Sequence, residues 1–329
     1  MHHLPFVGLR DFEASFLRLL EKITNGCKIE INMTGTALSY SPGVLTGGVN
    51  MKHDCGTSRS IGYFLEGLIC LLPFAKLSSN IELSGITNDA GDRSVDLIRT
   101  VTLPVLSASF GLPVDGLALK VKKRGAPPNG GGSVEFTCPN VQKLNPVECI
   151  DLGQVRRVRG IAYCSRVSPQ VCNRMRDSCK GMLHKYIKDV YIYTDYYKGA
   201  ESGKSPGYAL SLVAETTTGC LLGADKVAEP NGVPEDVGIQ CAQLLFDEIV
   251  ARGCIDTPTQ TIFLLYMALT PSDASRVRLG KLNSYSINFI RLLKDFFGLV
   301  FKVEEDPESG VVTLSCSGTG FVNLARKVK

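Results

Sequence analysis

Apolar positions fall at helical spacing in three stretches, and each stretch ends at a glycine followed by an alternating, strand-like run. The first is Arg10 to Ile23, with Asn25-Gly26 leading into Lys28-Ile29-Glu30-Ile31-Asn32. The second runs from Asp96 to Phe110, then Gly111, then Leu117 to Val121; the third from Ile287 to Phe297, then Gly298, then Val300 to Glu304. In the third copy Phe289, Ile290, Leu293, Phe296 and Phe297 form one apolar helical face, and Asp306-Pro307-Glu308-Ser309-Gly310 turns the chain into Val311 to Ser315. A further helix, Ile61 to Leu72, precedes a strand at Asn80 to Leu83. This order predicts an α/β (α+β) fold of repeated helix-plus-sheet modules around a common core, with helices on one face of mixed sheets.

The pattern changes between residues 155 and 254. A basic start, Arg156-Arg157-Val158-Arg159, enters a strand, then a helix from Ser168 to Tyr186 and a strand from Val190 to Thr194. A polar loop from Tyr196 to Gly207, a strand from Ala209 to Glu215 and a helix from Pro234 to Arg252 complete the segment. The reading is a large domain over 1–154 and 255–329, interrupted by a smaller α/β domain over 155–254.

Composition narrows the class. The chain has 329 residues, 44% of them hydrophobic, and a formal net charge of +4. That is enough to bury a large core and only mildly basic. Twelve cysteines with no Cys-x-x-Cys pair read as buried thiols, not disulfides or zinc ligands. The longest apolar run, Ile61 to Phe74, carries Glu66 and is broken by Pro73, so no membrane span is expected. The histidines are His2, His3, His53 and His184; only His53 is a candidate for catalysis, and a structural role is the better reading because no base or oxyanion partner is identifiable. Gly203-Lys204-Ser205 lacks the earlier glycine of a phosphate-binding loop, since Lys198 stands there. Neither metal nor cofactor is expected.

The most distinctive stretch is Arg124-Gly125-x-x-Pro128-x-Gly130-Gly131-Gly132-x-Val134. Its prolines fix φ and its glycines permit positive φ and close backbone approach, which predicts a tight, exposed loop between strands. Such a loop either presents N–H groups to an anion or is a crossover that needs small residues. The motif and the repeat-plus-insert plan together resemble the RNA 3′-terminal phosphate cyclase family over essentially the whole chain. That family adenylylates a histidine opening its last helix, passes AMP to an RNA 3′-phosphate and closes a 2′,3′-cyclic phosphate.

The resemblance places Tyr285 at the nucleophile position, in Tyr285-Ser286-Ile287-Asn288-Phe289-Ile290, and a phenol cannot replace imidazole in forming a labile phosphoramidate near neutral pH. Pro258, Thr261 and Ile262 stand where the family has a Tyr-x-x-Asp-Gln stretch, and Arg10-Asp11-Phe12 where it has Arg-Gln-His. The chain is already in its first helix by Leu9, so the family's amino-terminal strand and helix are expected to be missing and the first module incomplete.

These departures imply the non-catalytic, cyclase-like branch: a nuclear and nucleolar factor of small-subunit (18S) rRNA processing and 40S ribosome biogenesis within the processome. The resemblance implies pre-rRNA, a ribosome-assembly GTPase and other processome proteins as partners. A pre-rRNA endonuclease and, more weakly, an active cyclase remain as alternatives. Candidate RNA contacts are Lys122, Lys123, Arg124, Arg156, Arg157, Arg159, Arg166, Arg174 and Arg176, whose clustering weighs against a merely solvated face. Two of Tyr191, Tyr193, Tyr196 and Tyr197 are expected in the core, leaving the others to stack on bases.

Overall fold

The computed structural model describes residues 8–327, so His2 and His3 lie outside the described residues. The expected helices form at Asp11–Ile23, Ile61–Leu71, Gln170–Leu183, Pro234–Val250 and Ser284–Phe297. The expected helix from Asp96 to Phe110 is present but irregular. It passes through a π-turn at Ile98–Thr102 just before Pro104, which cannot donate a helical hydrogen bond. The three module glycines all adopt the left-handed conformation that ends a helix or tightens a turn: Gly26 at φ 78°, Gly111 at 73° and Gly298 at 65°.

Four-stranded sheets carry the architecture. One orders its strands Met51–Asp54, Ser79–Gly85, Gly132–Cys138, Ala118–Lys123; the first pair is parallel and the others antiparallel. Buried and half-buried residues alternate along Ser79–Gly85 and Gly132–Cys138, as expected when one face meets the helices. A second sheet orders Lys302–Glu305, Val312–Ser317, Ala274–Leu279, Glu148–Cys149. Both contribute to one continuous core whose buried residues come from 12–149 and 255–316.

A third sheet, Val190–Tyr197, Val155–Ser165, Gly207–Thr216, Leu221–Val227, builds a separate core with the helices Gln170–Leu183 and Pro234–Val250. The buried residues of that core all lie between 158 and 245. Among the described residues no helix is long and apolar enough to cross a membrane.

The last helix departs from expectation. Leu293 is buried and Phe289 and Ile290 pack on the core, but Phe296 is 81% exposed and Phe297 43%. This helix packs on the helix Gln260–Ala268, and its final turn leaves both phenylalanines exposed.

Candidate functional site

The glycine loop comes first because it is not an open surface loop. Arg124 is 1% exposed, with Nη1 2.5 Å and Nη2 2.8 Å from the two Asp96 carboxylate oxygens, and its guanidinium stacks 4.2 Å from the Tyr163 ring centroid. Burial would raise Asp96, but the charge and hydrogen bonds of Arg124 overcome it and hold the carboxyl below its ordinary value. Arg124 therefore has no donor to offer RNA, which corrects its place among the candidate phosphate contacts.

The loop's backbone is equally occupied. Thr87 N donates to Gly125 O at 2.8 Å, Gly125 N to Thr87 Oγ1 at 3.3 Å, and Gly130 N to Ala126 O at 3.0 Å. The polar segment 202–205 from the second core lies against it: Lys204 N donates to Gly130 O at 2.9 Å and Asn129 N to Ser205 Oγ at 3.1 Å. A Cβ on Gly125 would lie 2.5 Å from Gly85 O, and one on Gly203 would lie 2.6 Å from Arg124 O. Of the two roles left open for this loop, the geometry is that of the crossover. Gly203-Lys204-Ser205 is its docking partner.

A cleft of about 590 Å³ opens on the other side of the same junction. Tyr285, Pro258 and Thr261, three positions singled out by the resemblance, all line it. Asn283 caps the last helix by accepting from Ser286 N at 2.7 Å, which fixes Tyr285 in the first turn, where it is 67% exposed at the cleft mouth. Burial, then Glu66, pushes the Tyr285 phenol up from its ordinary value, further from nucleophilic reach.

The sequence reading missed what faces it. Glu66, Asp92, Asp225, Asp247 and Glu248 all line the cleft. Its two arginines each meet a carboxylate: Arg59 Nε lies 2.8 Å from Asp92 Oδ2, and Arg93 Nη2 lies 2.7 Å from the buried Asp256, while Arg93 Nε and Nη1 are buried without a partner. Burial raises the carboxyls of Glu66, Asp225 and Glu248, opposed at Asp225 by Ser94 and at Glu248 by the Thr257 backbone N–H. A nucleotide or RNA phosphate entering here would meet five acidic groups, with Arg59 held by Asp92 and Arg93 buried beneath the surface. These acids are scattered over residues 66–248 in an ordinary-looking sequence, so only folding assembles them.

His53 is 6% exposed and away from the cleft lining. Its Nε2 is 3.1 Å from Ser15 Oγ and its Nδ1 3.4 Å from Lys22 Nζ, while burial and then Lys22 push its pKa down. His184 is exposed at the end of its helix.

Most of the other candidate RNA contacts are paired. Lys122 reaches Glu135 at 3.4 Å, Arg157 reaches Glu215 at 2.6 Å, Arg159 reaches Asp189 at 2.8 Å, Arg174 reaches Glu235 at 2.6 Å and Arg176 reaches Asp177 at 2.8 Å. Arg156 is exposed, and Arg166 is exposed with Nε held 2.6 Å from Gly203 O. Tyr191, Tyr193 and Tyr196 are each more than half exposed, so fewer of the four tyrosines are buried than alternation suggested. Tyr197 is half-buried near Arg124. Among the cysteines read from the sequence as buried thiols, Cys149, Cys220 and Cys254 bring their sulfurs within 4.8 Å of one another.

Comparison with known proteins matches residues 3–303 to the RNA 3′-terminal phosphate cyclase family. The chain is 54% identical to a "Probable RNA 3′-terminal phosphate cyclase-like protein" of Dictyostelium discoideum, over 97% of this chain and 90% of that one. It is 50% identical to the human RNA 3′-terminal phosphate cyclase-like protein, over 98% and 89%. It is 43% identical to the Schizosaccharomyces pombe "rRNA processing protein rcl1", again over 98% and 89%.

Proposed function

This chain belongs to the RNA 3′-terminal phosphate cyclase family, and from that premise we propose that it is a non-catalytic factor of rRNA processing. In finer terms the reading is an RNA-binding assembly factor for small-subunit (18S) rRNA maturation in the nucleolar processome, held by pre-rRNA and by a ribosome-assembly GTPase. Residues 155–254 act in it as an inserted domain.

One observation carries the reading: Tyr285 stands at the mouth of a cleft lined by five acidic residues, where Arg59 is held by Asp92 and Arg93 is buried against Asp256. Adenylylation needs a neutral-pH nucleophile and cations for the triphosphate, and this cleft offers a raised phenol and negative charge. RNA contact falls instead to the third sheet, where Arg156 and Arg166 are exposed at the two ends of the strand Val155–Ser165 and Tyr191, Tyr193 and Tyr196 are exposed on the neighbouring edge strand.

The test has two arms. Purified protein incubated with labelled ATP and 3′-phosphorylated RNA should yield no labelled adduct and no cyclic end, and cells depleted of the protein should accumulate small-subunit rRNA precursors. An acid-labile labelled band on the protein, or normal rRNA processing after depletion, would overturn the reading. In the same preparation, Arg156→Glu with Arg166→Glu should weaken binding to rRNA fragments and flatten the salt dependence by about 0.7–0.9 logarithmic units per lost contact. Unchanged affinity and slope would remove that edge from the RNA interface.

A further inference from the structure

The three clustered cysteines come from three separate pieces of chain. Cys149 ends the short edge strand Glu148–Cys149 of the second sheet, paired in parallel with Ala274–Leu279. Cys220 sits in the turn joining the last two strands of the third sheet, Gly207–Thr216 and Leu221–Val227. Cys254 lies on the segment that returns from the helix Pro234–Val250 to the first core, anchored by its N–H donating to Arg278 O at 2.8 Å. Cys254 is 1% exposed and Cys220 8%, and all three line a recess of about 410 Å³ between the two cores.

We propose that Cys149, Cys220 and Cys254 form a thiolate site for a single zinc ion that staples the second core to the first. Sulfur ligands alone, with neither histidine nor a close carboxylate cluster in the group, are a soft donor set that suits zinc over magnesium or calcium. A Zn–S distance of about 2.3 Å in tetrahedral geometry sets neighbouring sulfurs roughly 3.8 Å apart, so a triangle with edges under 4.8 Å needs to contract by about 1 Å or less. The turn carrying Cys220 can supply that movement.

An outer contact is already in place: Thr218 donates its hydroxyl proton to Leu152 O at 2.7 Å, which holds its Oγ1 3.6 Å from the Cys220 sulfur. Glu148 beside the site is engaged by Arg276 at 3.3 Å. The recess therefore leaves the fourth coordination position to a solvent molecule. On binding, each thiol that is protonated loses its proton to solvent as its sulfur ligates the ion, and no electron transfer is involved.

Three sulfurs argue for a metal more than for a disulfide, because any one pairing would leave a third thiol stranded in the same pocket. The proposal is independent of the rRNA-processing reading, since the site lies apart from both the cleft and the basic edge.

The full chain, purified in reducing buffer without chelator, should carry about one equivalent of zinc by elemental analysis. Cobalt(II) added to stripped wild-type protein should give an intense sulfur-to-cobalt charge-transfer band, discharged by added zinc. Cys220→Ser and Cys149→Ser should each lose or weaken the band, while Cys179→Ser, in the second core and outside the cluster, should keep it. Stripped wild-type protein that shows no charge-transfer band with cobalt would overturn the proposal even if every variant misfolded. So would a disulfide between two of the three, found by non-reducing peptide mapping of protein taken from reducing cells.

Discussion

Two faces of one junction have diverged. On one face the Arg124–Gly132 loop, Asp96, Tyr163 and the 202–205 segment form a buried, hydrogen-bonded seat for the second core. On the other face the cleft around Tyr285 holds five acidic residues, with Arg59 paired to Asp92 and Arg93 buried against Asp256. The loop that carries the family resemblance lies where backbones touch, and the positions at which the resemblance marks departures line the cleft. The loop motif in this chain is thus a marker of how the two cores meet, and it says nothing about whether a nucleotide is bound.

The seat should be the most sensitive part of the molecule. Asp96→Asn removes the charge that compensates Arg124, whose side chain is 2% exposed, and a broken buried pair costs about 3–5 kcal/mol. Urea unfolding at neutral pH should show that loss. A change under about 1 kcal/mol would mean that water or another group neutralises Arg124. Gly203→Ala comes next, because its Cβ would be forced against the Arg124 carbonyl, a contact that backbone alone can relieve. Overpacking of this kind costs about 1–3 kcal/mol. The same substitution at Gly181, where nothing lies within 4 Å, is the control and should be neutral or mildly stabilising because it sits inside a helix.

The two faces should also respond to pH with opposite sign. Asp96 is lowered in the folded state, so its contribution is present above the ordinary carboxylate value of 3.8 and disappears as pH falls through its folded value. Glu66 and Asp225 are raised, so their favourable contribution is present below 4.5 and 3.8 respectively and is lost as pH rises through their folded values. Glu66→Gln with Asp225→Asn should therefore gain stability relative to wild type as pH climbs from about 4 toward 7. Parallel stability curves for the two proteins would show that the cleft acids are not strained.

How much of this was legible in the sequence depends on range. The amphipathic helices and glycine stops are local, and Gly26, Gly111 and Gly298 each take the positive φ their positions demanded. The strands Leu38–Ser41 and Met51–Asp54 were invisible because they are short and largely exposed, and the helix Gln260–Ala268 because it is apolar all round and shows no period. Composition foretold a basic surface, but not that Arg157, Arg159, Arg174 and Arg176 each meet a carboxylate brought by another turn or strand, or by the adjacent residue. The acidic cleft and the cysteine triangle are long-range assemblies, and no spacing rule reaches them.

The smallest effect expected is also the sharpest test of how far the cleft has moved from its ancestry. Tyr285 is two-thirds exposed, so Tyr285→Phe should change stability by less than about 0.5 kcal/mol. Tyr285→His places an imidazole in the first turn of a well-capped helix, at the position the resemblance assigns to the nucleophile. It should nonetheless produce no adenylylated protein, because the imidazole is only one part of the machinery. The triphosphate would still face Glu66, Asp92, Asp225, Asp247 and Glu248, and Pro258 and Thr261 bring no charge to hold it. Positioned cations contribute as much to such a transfer as the nucleophile does. Labelled ATP should leave Tyr285→His as blank as wild type. A covalent adduct on that variant would mean that the cleft still binds nucleotide and that the loss of one histidine alone silenced it.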